Sequence, residues 1–468
     1  MKRILLSAGL FLFLFCFAAT SFATNGFQLM GIGSTQKGMG GAVTAAPEDA
    51  MTAITNPAGM AVIGNRADFN GEAFMPKRSM DFTELPASPF MGPGKQTSGG
   101  SELYGIPALG WTAPAFGRDN VFFGGGMYAT AGMGVDYDIT NAGSGFGDAD
   151  VFTSIQFWKM QPTLAWKVNE QLALGVGVDF DYQQVEIKEV FEAAAFGAYP
   201  SLGAGISMDL GRAIGVYGGG LSLGAIYKVN DMVTVGASYI SKQWFPDMKY
   251  RLGSGAVNNF PYKGYLADNT SEGTYKLDMQ FPQQAAIGVA VKPMDALTVE
   301  LDVKWINWKD TQDKVKLSGD FTLIDASDAL VERMGGAAPT PVTASSIDLP
   351  FGWKNQWVFA VGTRYAVNPD LTLRIGYNYA KSPIDEKDVF NNVAFPAIVE
   401  QHLGLGLTYN LGSHWAVSGS YMRAFKEELS GKKDNPQAFQ DVGFASDTTK
   451  TKISLEENSV GVQVSYRF

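Results

Sequence analysis

Apolar and polar residues alternate along much of the chain with a period of two. One such series runs Leu172, Leu174, Val176, Val178, Phe180 and Tyr182. The residues between them are small or polar, namely Ala173, Gly175, Gly177, Asp179, Asp181 and Gln183. Because successive side chains of a strand point to opposite faces of a sheet, this pattern predicts strands with one apolar face and one small or polar face.

Similar series begin near residues 297, 371, 403 and 460. A soluble sandwich would also alternate, but three features favour a barrel in a membrane. The series are about ten residues long, the length that a tilted strand needs to cross the hydrocarbon layer. The chain ends in strand register on Phe468. Tyr and Trp cluster at strand ends, as an interfacial girdle requires: Trp305, Trp308, Tyr377, Tyr379, Trp415 and Tyr466.

The connections between these segments predict the number of strands. Short, turn-like connections lie around 114–120, 169–170, 230–231, 293–295, 368–370 and 411–414. Long ones lie at roughly 77–104, 131–152, 188–213, 246–282, 311–352, 382–399 and 428–457. Short turns belong on the periplasmic side of such barrels and long loops outside. The regular alternation of these thirteen short and long connections predicts fourteen strands. The chain is therefore expected to have an all-β fold, a 14-stranded antiparallel transmembrane β-barrel over residues 66–468.

Residues 1–23 have the features of a secretory signal peptide. Lys2 and Arg3 precede an almost wholly apolar run, and Ser21 and Ala23 place small residues at positions −3 and −1 of a cleavage site. A membrane-anchoring helix is the alternative for this segment. Export of the chain would make it periplasmic or, given the strand pattern, a barrel of the outer membrane.

Residues 24–65 lack the strand pattern and are rich in Gly and Ala. A fourteen-stranded barrel is wider than barrels whose side chains fill the interior. This segment is therefore predicted to be an N-terminal hatch, or plug, inside the lumen; a mobile periplasmic extension is the alternative. Asn56 before Pro57 favours an extended or turn conformation and predicts a sharp corner in the hatch.

Composition narrows the possible functions. Gly accounts for 55 of 468 residues, well above the roughly 7% of average proteins. The net charge of −10 disfavours nucleic acid as a partner. Cys16 is the one cysteine and lies in the predicted signal peptide, and the histidines are His402 and His414. These counts argue against disulfides, metal sites and cysteine nucleophiles; a lipase-like Ser–His pair on His402 is a weak alternative.

Several segments of the mature chain resemble the FadL-type outer-membrane transporters of long-chain fatty acids and other hydrophobic compounds, including aromatic hydrocarbons. The resembling segments are Asn25-Gly26-Phe27, 38–42, Glu48-Asp49-Ala50, Asn56-Pro57-Ala58-Gly59, 281–288, 305–308 and 353–383. The resemblance implies a 14-stranded barrel closed by the hatch. It also implies passive, ligand-gated uptake of hydrophobic small molecules, without enzymatic activity and without a cofactor.

The candidate functional residues form four sets. The predicted gate of the hatch comprises Phe27, Asn56, Pro57 and Ala58. The predicted lateral opening in the barrel wall comprises Gly124, Gly125 and Gly126. The predicted outer groove comprises Val190, Phe191, Phe196, Tyr199 and Leu202. The predicted ligand site of the lumen comprises Lys304, Arg364 and Arg374.

Different observations support these sets. Three glycines in succession would kink or interrupt the third strand, and the resemblance implies that such a kink opens sideways towards the bilayer; accommodation of the hatch is the alternative. The loop at 188–212 is unusually apolar, as a binding surface would be; a loop packed under its neighbours is the alternative. Inward-facing cations could hold a ligand carboxylate, although lumen charges often pair among themselves, here with Glu300 and Asp302.

The expected partners are hydrophobic small molecules, fatty acids or hydrocarbons, together with the lipids and lipopolysaccharide of the outer membrane. The chain is expected to act as a monomer. Two other functions stay open within this fold. One is uptake of aromatic hydrocarbons, and the other is a structural or adhesive role in the outer membrane.

Overall fold

The computed structural model describes residues 25–81, 96–100, 102–140, 146–193, 205–211, 214–333, 335–431 and 450–468. The predicted signal peptide lies outside these residues.

Fourteen antiparallel strands form one closed barrel. In chain order, β1 to β7 are Arg66–Asp81, Tyr104–Ala115, Arg118–Ile139, Phe146–Lys167, Leu172–Ala193, Val216–Lys228 and Val233–Ile240. Strands β8 to β14 are Gln284–Met294, Leu297–Ile306, Gln356–Ala366, Leu371–Ala380, Gln401–Leu411, Trp415–Ser430 and Lys452–Arg467. Each strand pairs with the next, and β14 returns to β1 from Arg66↔Arg467 to Asp81↔Lys452. The predicted strand number and antiparallel closure are confirmed.

The two faces of the wall follow the alternation of the sequence. Leu174 and Val176 of β5 are exposed on the outer surface, whereas Asp179 and Asp181 of the same strand are buried inside. This inverts the arrangement of a soluble protein, because lipid surrounds the barrel and polar groups must be satisfied in the lumen.

The predicted loop boundaries are wrong at the second and third long connections. Strands β3, β4 and β5 each contain 22 residues, so most of 131–152 is paired strand. Val190 and Phe191 lie at the far end of β5, not in a loop. A strand that continues above the membrane has no lipid on its outer face, so the alternation that marked the crossing segments fades there.

The segment before β1 is folded inside the barrel as a hatch, as predicted. It contains α1 Ser34–Gly38, α2 Thr52–Thr55, a 3₁₀ turn Pro57–Gly59 and α3 Met60–Ile63. All residues of α1 are buried, including Lys37. The Lys37 ammonium forms an ion pair with Glu72 of β1, and both side chains are almost completely shielded from solvent.

Glycines of the wall make room for the hatch backbone. A Cβ atom at Gly175 of β5 would overlap Pro57, and one at Gly376 of β11 would overlap Met39. Similar overlaps with hatch atoms would occur at Gly110, Gly224, Gly236, Gly288, Gly362, Gly404 and Gly406. These contacts account for part of the high glycine content, because a side chain on the inner face at these positions would displace the hatch.

A second, six-stranded sheet is built from the long connections after β7 and β9. Its strands are Met248–Leu252, Phe260–Tyr262, Tyr265–Asn269, Gly273–Asp278, Val315–Asp325 and Val342–Leu349. The other elements outside the barrel are strands Gln96–Ser98, Ile206–Leu210 and Val257–Asn258, helices α4 Lys309–Gln312 and α5 Ala326–Arg333, and 3₁₀ turns Glu386–Asp388 and Phe390–Asn392. Within the described ranges, no helix has the length and hydrophobicity to cross a membrane.

We predict that Gly175→Val displaces the hatch while the barrel still forms. The added side chain would overlap Pro57 and Ala58, and packed interiors do not absorb such overlap without strain. Hydrogen exchange of residues 44–60 in the purified protein should increase at least tenfold. The matched control is Gly71→Val on β1, where a Cβ atom would meet no other atom within 4 Å. Equal hatch protection in both variants would contradict the packing argument.

Candidate functional site

Phe27 is held in an aromatic cage near the start of the hatch. Its ring centroid lies 4.4 Å from that of Trp353 and 5.5 Å from that of Trp308, the latter in an edge-to-face arrangement. Phe395 completes the cage at 6.2 Å. Gly26 adopts φ +68°, and a side chain there would overlap Trp308. The predicted gate residue is therefore anchored by residues of two connections on the exterior side of the barrel, β9–β10 and β11–β12.

Trp308 is not a girdle residue, contrary to the prediction. It is completely buried, and its indole nitrogen donates a hydrogen bond to Gln356 over 3.2 Å. Tyr377, Tyr379 and Trp415 are exposed on the outer surface, consistent with a girdle. The sequence does not separate these roles, since an aromatic residue near a strand end suits both the membrane interface and an internal cage.

A cavity lies between the next residues of the hatch and the barrel wall. On the hatch side it is lined by Leu29, Met30, Ile32 and Ile54. On the wall side, the stacked rings of Phe157 and Phe281 lie 4.0 Å apart and are nearly parallel. The cavity is thus apolar on two sides and is bounded by the chain segment that follows Phe27, so an occupant would touch the hatch directly.

Two lysines bring positive charge to this cavity. Lys159 of β4 pairs with Asp179 over 2.8 Å and donates to Gln243 over 3.3 Å. Lys304 of β9 is half-buried and lines the cavity, and among the described residues it has neither an ion pair nor a hydrogen bond to its ammonium group. The structure places Lys304, of the three predicted lumen cations, in this cavity with its donors available.

The carboxylates that neighbour Lys304 along β9 bind the hatch instead. Asp302 accepts hydrogen bonds from the backbone N–H groups of Val43 and Thr44, both at 3.0 Å. Glu300 accepts from the N–H groups of Ala45 and Ala46. An irregular backbone in a lumen must find such partners, so these acids fix the hatch to the wall.

Arg364 and Arg374 lie elsewhere, at the periplasmic end of the barrel. Arg374 donates from Nε to Oε1 of Glu48 over 2.9 Å and from Nη2 to Oε2 over 2.5 Å. Arg364 approaches the same carboxylate at 3.3 Å. Burial alone would raise the pKa of Glu48, but Arg374 and Arg364 lower it to about 2. The structure does not bring these arginines together with Lys304, and their charge is directed to the hatch.

Asn56 fixes the predicted corner. Its amide nitrogen donates to the carbonyl oxygen of Thr44 over 2.7 Å and to that of Ala225 in β6 over 3.2 Å. Its side-chain oxygen accepts from the N–H of Ala58 over 3.2 Å. Asn56 thus joins two parts of the hatch to the wall while Pro57 begins the 3₁₀ turn.

The glycine triplet distorts β3 without interrupting it, contrary to the predicted break. Gly124, Gly125 and Gly126 are paired with both neighbouring strands. Gly125 has φ +122°, and a Cβ atom at each of the three positions would overlap a carbonyl oxygen of a neighbouring strand. Pairing is interrupted next to the triplet, because Gln161 and Pro162 of β4 have no Cα partners on β5 and proline offers no N–H.

The predicted outer groove is only partly described. Phe191 is buried and lines a small apolar cavity with Ile206, Met208, Phe260 and Phe351. Val190 is the residue before Phe191 on β5. Phe196, Tyr199 and Leu202 lie outside the described residues.

Sequence reasoning missed Phe157, Lys159 and Gln243 as cavity residues. All three are buried, and an inward position in an alternating strand was the available signal for the first two. Many side chains that do not line a cavity also point inward, so an inward position does not show which residues line this cavity.

Comparison with known proteins gives a consistent result. The family model "Outer membrane protein transport protein (OMPP1/FadL/TodX)" matches residues 15–468. A curated protein of Neisseria meningitidis serogroup B, named as an outer membrane protein, is 22% identical over 265 residues. That match covers 54% of this chain and 51% of the relative, so the chain spans about half the length of this curated relative.

Solved structures share the fold. The toluene transporter TodX of Pseudomonas putida superposes with a TM-score of 0.68 at 18% identity, covering 94% of this chain and 99% of that one. A Pseudomonas aeruginosa FadL homologue superposes with a TM-score of 0.66 at 20% identity, covering 95% of this chain and 100% of that one. The Ralstonia pickettii toluene transporter TbuX superposes with a TM-score of 0.61 at 17% identity, covering 94% of this chain and 99% of that one. At these identities the likeness concerns the fold alone.

We predict that Glu48→Gln loosens the hatch. Removal of one partner from a buried pair should destabilise the docked hatch by about 2 to 3 kcal/mol. The population of the undocked hatch should then rise roughly 30- to 150-fold. Because the pKa of Glu48 is lowered from 4.5 to about 2, its stabilising contribution is present above pH 4.5 and is lost as the pH falls towards 2.

Hydrogen exchange of residues 45–50, corrected for intrinsic rates, measures this effect. The difference between wild type and Glu48→Gln should therefore be largest near neutral pH and shrink below pH 4.5. The control is Glu170→Gln, which breaks an exposed pair with Lys167 in a periplasmic turn. If the difference does not change with pH, the ion pair does not hold the hatch.

Proposed function

The chain belongs to the OMPP1/FadL/TodX family of outer membrane transport proteins, and we propose that it takes up hydrophobic small molecules by passive diffusion gated by the hatch. The observation that carries this proposal is the cavity between the hatch and the wall. Its apolar lining suits a hydrophobic body, and its hatch side begins with Gln28, directly after Phe27. An occupant therefore gains contact with the element that closes the barrel.

We infer that uptake proceeds in three steps. A ligand first enters the predicted outer groove, of which Phe191 lines a small apolar cavity. It then occupies the cavity lined by Phe157 and Phe281. Contact with Leu29 and Met30 displaces the hatch segment that Phe27 anchors, since a ligand shifts an equilibrium only through different contacts in the two states.

The availability of Lys304 favours an amphiphile with a carboxylate, such as a long-chain fatty acid. A carboxylate transferred into an apolar cavity requires a cation or hydrogen-bond donors, and Lys304 offers both. Uptake of aromatic hydrocarbons is the second candidate. The parallel rings of Phe157 and Phe281 favour it, and TodX and TbuX are named as toluene transporters.

We predict that Lys304→Gln lowers the affinity for palmitate at least tenfold and leaves the affinity for toluene within a factor of two. A hydrogen bond to a charged group is worth about 1.5 to 3 kcal/mol, and each 1.4 kcal/mol is tenfold in affinity. Binding to the purified protein should be measured by calorimetry.

The control for this comparison is Lys228→Gln, at an exposed periplasmic turn where Lys228 pairs with Asp231. Equal losses for palmitate and toluene would contradict a role of Lys304 in holding a carboxylate. Binding of toluene but not palmitate by the wild type would favour the aromatic hydrocarbon alternative.

We propose that the ligand leaves sideways through the wall near Gly124–126. The interrupted pairing between β4 and β5 beside the triplet supports this route, because fewer hydrogen bonds must break there. Leu164 and Val176 are Cα partners beyond the interruption, and both are exposed on the outer surface.

A disulfide between Leu164→Cys and Val176→Cys should therefore stop uptake, and reductant should restore it. The control is a disulfide between Leu373→Cys and Leu407→Cys, outward Cα partners on β11 and β12. Uptake of radiolabelled palmitate in cells should be compared with and without reductant. Unchanged uptake through the locked β4–β5 seam would eliminate lateral exit there and favour passage straight into the periplasm.

A further inference from the structure

A second cavity, of about 400 Å³, opens at the periplasmic end of the barrel. Hatch residues Pro47, Glu48 and Ile63 form one side. The other side comes from strand ends next to the short turns, including Ala296, Ala366 and Asn410. The short-turn side faces the periplasm, so solutes of that compartment have direct access to it.

Four guanidinium groups line this cavity: Arg66, Arg364, Arg374 and Arg467. The carboxylates that line it are Glu48 and Asp295, and Asp295 is paired with Lys292 outside the cavity. Glu48 therefore faces an excess of positive charge. Such a concentration of one sign in a concave site attracts ions of the opposite sign.

Two of the arginines, Arg66 and Arg374, direct their N–H donors to residues of the protein itself. Arg66 forms a two-point ion pair with Asp68 and donates to the Glu48 carbonyl oxygen. Arg374 holds the Glu48 carboxylate and donates from Nη1 to Thr408 over 2.8 Å. These two groups are structural and are not available for a ligand.

The other two arginines retain unused donors. Arg364, with a side chain 33% exposed, approaches Glu48 at 3.3 Å and donates to Thr298 over 3.1 Å. Arg467 makes a long side-chain hydrogen bond of 3.4 Å to Asn410, and no carboxylate among the described residues pairs with it. A guanidinium has five N–H donors in a planar fork that matches carboxylate and phosphate oxygens.

We propose that this periplasmic cavity binds an oxyanion, a carboxylate or a phosphate group, through Arg364 and Arg467. Thr372 lies on the same lining, and its hydroxyl group adds a neutral donor. An oxyanion bound there competes with Glu48 for Arg364, which joins the periplasmic solute to the hatch. The site is separate from the cavity at Lys304 and does not depend on which compound the channel carries.

The test is titration of the mature, detergent-solubilised protein with inorganic phosphate, followed by phosphorus NMR. Saturable binding is expected that weakens as salt is added, because screening reduces the attraction of an exposed site. The double variant Arg364→Gln/Arg467→Gln should lose at least tenfold in affinity. The matched control is Arg118→Gln, an exposed arginine of another periplasmic turn outside this cavity, whose affinity should stay within a factor of two of wild type.

Octanoate then distinguishes the sources of the oxyanion. If octanoate displaces bound phosphate, the site accepts carboxylates as well as phosphate. If octanoate does not displace it, the site is selective for phosphate. If the double variant fails to form a heat-modifiable barrel, Arg467→Gln alone should still lower the affinity at least threefold. Arg467 is exposed and forms no ion pair within the part of the chain that the structure describes, so its loss should not disturb folding. Absence of saturable phosphate binding by the wild type, or equal losses in Arg118→Gln, would overturn the proposal.

Discussion

The structure depends on satisfying an irregular backbone inside a barrel. The helices of the hatch contain only four or five residues, so part of its backbone must find hydrogen-bond partners on the wall. Wall side chains supply the missing partners, and carboxylates dominate among them. Asp302 and Glu300 accept from four successive hatch N–H groups, and Asp68 accepts from Ala50. A charged acceptor suits this task, because its hydrogen bonds are stronger than those of neutral groups.

The same requirement explains the glycines and cations. Backbone can reach a wall acceptor only where the inner face has no side chain in the way, so glycines stand at the contact points. Some of the buried carboxylates are in turn compensated by cations of the hatch or the wall. Glu72 is paired with Lys37, and Glu48 with Arg374. The acidic chain thus places many of its charges inside the lumen, where they are partners of the hatch.

This arrangement also accounts for the position of the candidate ligand site. The cavity lies along the seam between hatch and wall. Lys304 has no ion pair there among the described residues, although its neighbours on β9 bind the hatch. Under the proposed function, a ligand in this seam would touch the contacts that hold the hatch, so binding and gating would be linked.

The sequence by itself determined the barrel. Period-two alternation, thirteen connections of alternating length and the Asn56-Pro57 corner depend on local geometry and on the membrane as solvent, and each can be recognised in a short stretch of chain. The hatch was indicated by residues 24–65, which lack the strand pattern and are rich in Gly and Ala, and the family resemblance implied the same. The extent of β3 to β5 was missed, because paired strands above the membrane carry no lipid-facing signal.

Only the tertiary structure decided which inward residues act together. Lys304, Arg364 and Arg374 look alike in sequence, yet the first lines the cavity at the hatch seam and the others hold Glu48 at the periplasmic end. Phe157 and Phe281 meet face to face although they are far apart along the chain. The inward phase of a strand gives a side chain its direction but not its height in the lumen or its neighbour across it. Those depend on strand register and on the path of the hatch, which arise only when the whole barrel closes.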